Sequence, residues 1–230
     1  MPNDPSVPSL SSDKRGAIDA FLEKVRAPAT VSPGARGRLI FALDATASRQ
    51  PIWDSACRLQ ADMFREAAAI GGLDVQLVYY RGRDECRASQ WVSQPERLAA
   101  LMERIDCRTG FTQIGKVIAH AKRETQNLKV QALVFVGDAM EEKLDDLCHA
   151  AGELGVPAFM FQEGDDPIAE QAFREITRLT HGAYCRFDPG AAQQLAELLR
   201  AVAAYAAGGV KALAAVQHSA GAARLLLQLR

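Results

Sequence analysis

The chain has 230 residues, 48% of them hydrophobic, and a formal net charge of -1. That is enough apolar material for one full domain with a sizeable core, and the near-neutral balance offers no global attraction to nucleic acid or to an anionic membrane. Five cysteines, Cys57, Cys86, Cys107, Cys148 and Cys185, are scattered without a Cys-x-x-Cys pair or ligand spacing, as befits a reducing compartment. The first 30 residues carry no apolar signal-peptide core and no apolar run approaches the length of a membrane span, so a cytoplasmic protein is expected.

Residues 1–11 are rich in Pro, Ser and Asn and read as disordered. Ser12 or Asp13 can cap a helix over 12–26 whose Ile18, Phe21, Leu22 and Val25 form one stripe, and the Pro- and Gly-rich 27–37 read as a linker. Leu39, Ile40, Phe41, Ala42 and Leu43 have the length and composition of a buried strand. Ile52, Ala56, Leu59, Met63 and Ile70 mark a long helix closed by Gly71 and Gly72. The residues 74–80 predict a strand, 81–84 a turn and 85–88 a short returning edge strand. Arg81, Arg83 and Arg87 read as solvated turn residues that blunt that edge rather than as a phosphate site.

A helix is predicted over 91–105, with Leu98, Leu101, Met102 and Ile105 inward, and another through Ile114, Val117, Ile118 and Ala121. The strongly apolar 131–136 predict a buried strand that ends in Gly137 and Asp138. A helix through Leu144, Leu147, Ala151 and Leu154 follows, then a strand over 156–161, a polar loop over 162–167, a helix over 168–179 and a last strand over 183–187. Asp188 and Pro189 suit an N-cap and first helical residue, opening a helix to Gly208 and Gly209, and the leucine-rich tail reads as helical and docked. The alternation argues for an α/β fold: a doubly wound, mostly parallel six-stranded sheet with one short antiparallel edge strand and helices on both faces. The expected organisation is an N-terminal appendage over 1–37, a domain over 38–208 and a helical tail over 209–230.

The chemistry collects at two strand ends. Asp44 closes the first strand, and Asp44, Thr46 and Ser48 alternate along an extended segment, so the three side chains can face one way. An unpaired carboxylate is expensive to bury, and the carboxyl edge of a parallel sheet is where ligands bind. Asp138 ends the second strand, and Thr112 lies between on a loop that opens a helix. Two carboxylates and three hydroxyls are hard oxygen donors that suit Mg2+. The same residues also make an ordinary helix-opening loop, with Thr46, Ser48 or Thr112 as caps.

Asp44-Ala-Thr46-Ala-Ser48 resembles the DxSxS motif of von Willebrand factor A (VWA) domains, the fold of integrin inserted domains. Residues 110–116, Gly-Phe-Thr-Gln-Ile-Gly-Lys, resemble that family's threonine loop, and Val134 to Asp138 its second acidic strand end. The resemblance spans about 38–208 in the family's order. It implies a Rossmann-like fold and a metal-ion-dependent adhesion site for Mg2+ or Mn2+. Thr46, Ser48 and Thr112 would bind the ion directly, Asp44 and Asp138 would often act through water, and an acidic side chain of a partner protein would complete the shell. The resemblance thus implies a non-catalytic interaction module. The chain departs from the motif at Thr46, which replaces a serine, and at Ala139, where the family commonly has glycine.

Other chemistries fit less of the sequence. Gly110 to Lys116 with Asp138 matches most of a phosphate-binding P-loop, but Val117 stands where Ser or Thr should hold Mg2+ and no strand precedes Gly110. Aspartyl phosphoryl transfer at Asp44 would lack its second acid, replaced by Thr46. His120, His149, His181 and His218 are scattered. Glu141, Glu142, Asp165 and Asp166 can tune the same rim, or serve as first-turn helix charges.

Overall fold

The computed structural model describes residues 36–49, 72–188 and 192–229, all within the unit Val31–Arg230. The N-terminal helix, the helix through Ile52 to Ile70, Cys57 and Pro189 lie outside the described residues. Six strands, β1 (Gly37–Asp44), β2 (Leu73–Arg81), β3 (Glu85–Ala88), β4 (Ala132–Gly137), β5 (Ala158–Glu163) and β6 (Ala183–Phe187), form one sheet in the order β3-β2-β1-β4-β5-β6. All neighbours run parallel except β3, which returns antiparallel to β2 at the edge. This is the doubly wound mixed sheet expected from the alternation of apolar runs.

Among the described residues six α-helices cover the sheet: α1 (Pro95–Met102), α2 (Ile114–Asn127), α3 (Leu144–Gly152), α4 (Pro167–Thr180), α5 (Ala192–Ala215) and α6 (Ala220–Leu226). The strand period of two sends alternate residues of β1 to opposite faces. Leu39, Phe41 and Leu43 pack with Leu98 and Met102 of α1 and with the apolar stripes of α5 and α6. Ile40 and Ala42 pack with α2, α3 and α4, where Tyr80 stacks on Phe135 and Phe135 meets Phe173 edge to face. A strand covered on both faces must be apolar through its middle, and β1 is buried at all 8 positions, with Arg38 and Asp44 only toward its two ends.

Four details differ from the sequence reading. Residues 91–94 are not helical: Val92 exchanges two backbone hydrogen bonds of 2.8 Å with Val75, and the Arg38 guanidinium lies 3.7 Å from the Trp91 ring centre. Helix α1 starts only at Pro95, whose missing N–H costs nothing in the first turn. Gln162 and Glu163 belong to β5 and are buried rather than forming a polar loop. Arg81 is buried too, and its guanidinium binds Glu85 and Asp106, tying the β2–β3 turn to the loop before Gly110. Finally, Gln193–Ala215 is apolar and long enough to cross a membrane, contrary to the expectation that no apolar run approaches that length. Its Leu195, Leu198, Leu199 and Val202 face the sheet, as in a core helix, and Gly208 and Gly209 break its helical backbone.

The C-terminal tail is built into the core. Leu213, Ala222 and Leu225 are each fully buried in the cluster that contains β1. Beyond them, the Gln228 side chain accepts from Tyr184 N at 2.9 Å and donates to Tyr184 O at 2.9 Å, completing the outer edge of β6. Two leucines of this tail should therefore behave differently. Leu225→Ala, at a fully buried site, should cost about 2–5 kcal/mol. Leu227→Ala, at a side chain 69% exposed, should stay within about 0.5 kcal/mol. Urea denaturation of the two variants checks this, and equal costs would mean that α6 does not pack as described.

Candidate metal centre

The sheet order reverses between β1 and β4: the chain leaves β1 toward β2 on one side and later enters β4 on the other. A crevice opens at the carboxyl ends of such a pair. Leu43 is in register with Val136, so Asp44 ends β1 beside Gly137, and Asp138 leaves β4 next to it. A Cβ at Gly137 would lie 2.8 Å from the Phe135 ring and 3.5 Å from Asp44 Cβ, so glycine relieves crowding at the strand end.

Asp44 is 1% exposed and both its oxygens are engaged. Oδ1 accepts from Thr46 N at 2.7 Å, the local turn that Asp readily makes with the backbone two residues on, and Oδ2 accepts from the Tyr80 hydroxyl at 3.0 Å. Thr46 is further fixed because Ala45 bonds Tyr80 O and Arg108 N, both at 3.0 Å. A short turn, Ala47–Arg49, then brings Ser48 Oγ to 3.1 Å from Thr46 Oγ1. The two hydroxyls face each other, but through this turn and not through the extended alternation expected from the sequence.

Thr112 reaches the same crevice from the other side. Gly110 packs directly on Gly82, where any Cβ would meet backbone atoms at 2.1–2.5 Å, and Phe111 N donates to Gly82 O. Thr112 N then donates to Glu141 Oε2 at 3.0 Å, while Glu141 N donates to Thr112 Oγ1 at 2.9 Å. This reciprocal pair clamps the threonine loop to the segment after Asp138. Thr112 does not cap its helix. The Glu142 carboxylate does so from across the crevice, accepting from Ile114 N at 2.5 Å and Gly115 N at 2.9 Å, two of the four N–H groups a helix start leaves free.

Asp44, Thr46, Ser48 and Thr112 line one cleft of about 170 Å3, together with Thr109, Gly110, Ala139 and Glu141. Asp138 adjoins it, and its charge acts on Asp44. Burial pushes the Asp44 carboxyl above the ordinary carboxylate range, and the Asp138 charge adds to this against the hydrogen bonds from Thr46 and Tyr80. Asp138 Oδ1 is buried and accepts no hydrogen bond. A buried acceptor without a donor is costly, and a cation is one group that would satisfy it. Among the described residues no three His, Cys, Asp or Glu side chains gather in a cage. The donors here are two carboxylates and three hydroxyls, and by type and convergence they fit a small hard cation such as Mg2+.

Three residues of this region carried no sequence signal. Tyr80 sits in β2 as one more core aromatic, yet it holds Asp44. Glu163 continues β5 past its apolar run. Arg49 follows Ser48 in a turn with no periodicity, yet it is buried and ion-paired with Glu163. On the same rim Asp166 caps α4, accepting from Ile168 N at 2.7 Å and Ala169 N at 2.8 Å, which is the plain helix-start role.

The P-loop alternative meets two obstacles. Residues 103–113 contain no strand, and the glycine at 110 serves the contact with Gly82. Lys116 turns to the Asp84 carboxylate and to Gln113 Oε1. ATP should therefore leave the melting temperature unchanged, and a shift that disappears in Lys116→Ala would overturn this.

The raised Asp44 pKa gives a signed pH dependence. The folded protein holds this proton more tightly than the unfolded chain, whose value is near the ordinary 3.8. The stability from this group is full below that value and is lost as the pH rises toward the raised folded pKa. In EDTA, wild type should lose stability relative to Asp44→Asn as the pH rises above the ordinary 3.8 of the unfolded chain. Denaturant titrations below and above that value check it, and a constant difference would mean that Asp44 titrates normally.

No protein-family model matches the sequence, and no curated protein matches it. Solved structures do match. The "von Willebrand factor type A" protein from Catenulispora acidiphila superposes with a TM-score of 0.60 at 18% identity, over 74% of this chain and 42% of that one. The von Willebrand factor domain of the type V pili tip protein Mfa5 from Porphyromonas gingivalis gives 0.58 at 11% identity, over 76% of this chain and 94% of that one. The VWA domain of SpRpn10 gives 0.55 at 10% identity, over 70% and 95%. This chain thus spans less than half of the first protein and nearly all of the other two. At these identities the likeness is one of fold.

Proposed function

On the von Willebrand factor A fold that this chain has, we propose a non-catalytic protein-interaction module that works through a divalent cation, Mg2+ or Mn2+. Thr46, Ser48 and Thr112 would hold the ion, with Asp44 and Asp138 supplying the negative charge behind them. Bound there, the ion supplies a hard Lewis-acidic point for an oxygen anion. The partner group proposed is an acidic side chain of another protein, because two carboxylates leave a divalent ion able to accept one more. The observation that carries this reading is the buried, partnerless Asp138 Oδ1 beside Asp44 at the reversal point of the sheet, with three hydroxyls converging on the same crevice. Each Asp44 oxygen already accepts one hydrogen bond, which favours a role as charge and hydrogen-bond acceptor behind the hydroxyls. Phe111, 56% exposed on the threonine loop, gives the mouth an apolar surface on which a protein partner can pack.

Calorimetry tests the ion. Asp44→Ala should weaken Mg2+ binding by about 10–100-fold, and Thr112→Ala, which removes one neutral donor, by less. Mg2+ at about 100 times its dissociation constant should stabilise the fold by about 2.7 kcal/mol. Capture of partners by the intact protein should need the ion and stop in EDTA. Wild type that binds neither Mg2+ nor Mn2+ at millimolar concentration ends the metal reading, and Asp44→Ala binding as well as wild type removes Asp44 from it.

A further inference from the structure

β3 is the outer strand of the sheet, and its pairing with β2 decides which of its backbone groups are used. Ser89 N donates to Leu77 O at 2.8 Å, just beyond the in-register pair Val78 and Ala88. In an antiparallel ladder this makes Glu85 and Arg87 the residues that bond inward to β2. The N–H and C=O groups of Cys86 and Ala88 then point out of the sheet, where they meet no partner among the described residues. The margin is a short row of open donors and acceptors, a template for a further strand.

A basic wall runs beside this row. Lys116, His120 and Arg123 are four and three residues apart on α2, so they share one side of the helix. Together with Cys86, Arg87 and Ala88 they line a groove of about 270 Å3. The wall is held in place from the sheet. The Gln76 amide nitrogen donates to Ser89 O at 3.0 Å, which leaves the amide oxygen to accept from His120 Nε2 at 2.8 Å. The acids nearby are already engaged: Asp84 with Lys116, Glu85 with Arg81 and Arg87, and Glu124 with Arg38 and the Trp91 indole. Arg83 in the hairpin turn and Arg123 on the wall are exposed and have no ion-pair partner among the described residues. The excess charge at this margin is positive.

We propose that the β3 margin is a docking site for an extended acidic segment of another protein, which adds to the sheet as a further strand. Its backbone pairs with Cys86 and Ala88, and its acidic side chains on the α2 face lie along Lys116, His120 and Arg123. The backbone bonds hold the strand and the charges select it. A second copy of this chain fits worse, because antiparallel pairing of two β3 margins sets the same basic stripe beside itself. The site is separate from the metal centre, since its floor is β3 and its wall is the middle of α2.

The test uses the full chain in EDTA, which keeps an acidic probe off any metal ion. The probe is an end-blocked, dye-labelled peptide of alternating glutamate and valine, followed by fluorescence anisotropy and by amide hydrogen exchange in NMR. It should bind, protect the Cys86 and Ala88 amides, and dissociate as salt rises. The same peptide with lysine for glutamate should bind at least about tenfold more weakly, and so should the glutamate peptide to Arg123→Glu. Ala88→Pro removes only an outward N–H, a change that edge strands accept, so it should keep the melting temperature and lose the peptide. Should that variant fail to fold, a fully N-methylated peptide decides: it keeps its charges, offers no N–H to the row and should not bind. The inference is overturned if the glutamate peptide does not bind at millimolar concentration or binds without protecting those two amides. It is overturned equally if the lysine peptide, the N-methylated peptide or the Ala88→Pro protein binds as well as the original pair. Protection of the two amides by raised protein concentration alone, with a dimer in sedimentation, gives the margin to a second copy and overturns it too.

Discussion

The parallel pairing of β1 with β4 is the constraint on which the rest depends. It buries both strands on both faces, so the chain can place polar groups only where the strands end. It also sets those ends side by side at the point where the sheet order reverses, and a crevice there follows from topology alone. The two carboxylates emerge into that crevice because Leu43 is in register with Val136. A slip of one residue would turn Asp44 to the opposite face of the sheet. Register in the core and geometry in the site are thus one fact, fixed by the packing of Phe41 and Leu43 on one face and Ile40 and Ala42 on the other.

The loops at this edge are held with unusual economy. Gly82 and Gly110 meet backbone to backbone, Thr112 and Glu141 exchange two hydrogen bonds, and Glu142 supplies the helix start that the threonine loop leaves open. Each of these contacts joins segments far apart in sequence. The acids after Asp138 therefore organise the opposite wall of the crevice before any ligand arrives, the kind of support that a binding site needs to keep its shape.

Most of the architecture was legible because a parallel sheet writes itself as apolar runs, and each run here is bounded by Gly, Pro or Asp. The strand ends that carry Asp44 and Asp138 were legible for the same reason, whereas Ser48 is placed by a turn and Thr112 by the contacts of its loop with Gly82 and Glu141. What escaped was set by contacts across the fold. Residues 91–94 carry a helical pattern, yet Val92 gains more by pairing with Val75 and Trp91 by stacking on Arg38. Gln162 and Glu163 look like loop residues because they are polar, but Gln162 bonds the Tyr184 hydroxyl and Glu163 meets Arg49 inside the protein. Arg81 and Arg49 show the general difficulty: a buried arginine is marked only by its partners, and those lie 25 and 114 residues away for Asp106 and Glu163.

The Gln228 side chain has a consequence for assembly. By occupying both backbone groups of Tyr184 it takes, at that residue, the place that a further strand would fill on the β6 margin of the sheet. A sheet with two open margins can add copies without limit and grow into a fibre. One side chain thereby takes from the β6 margin the pair of backbone groups that a strand of a second copy would need at Tyr184.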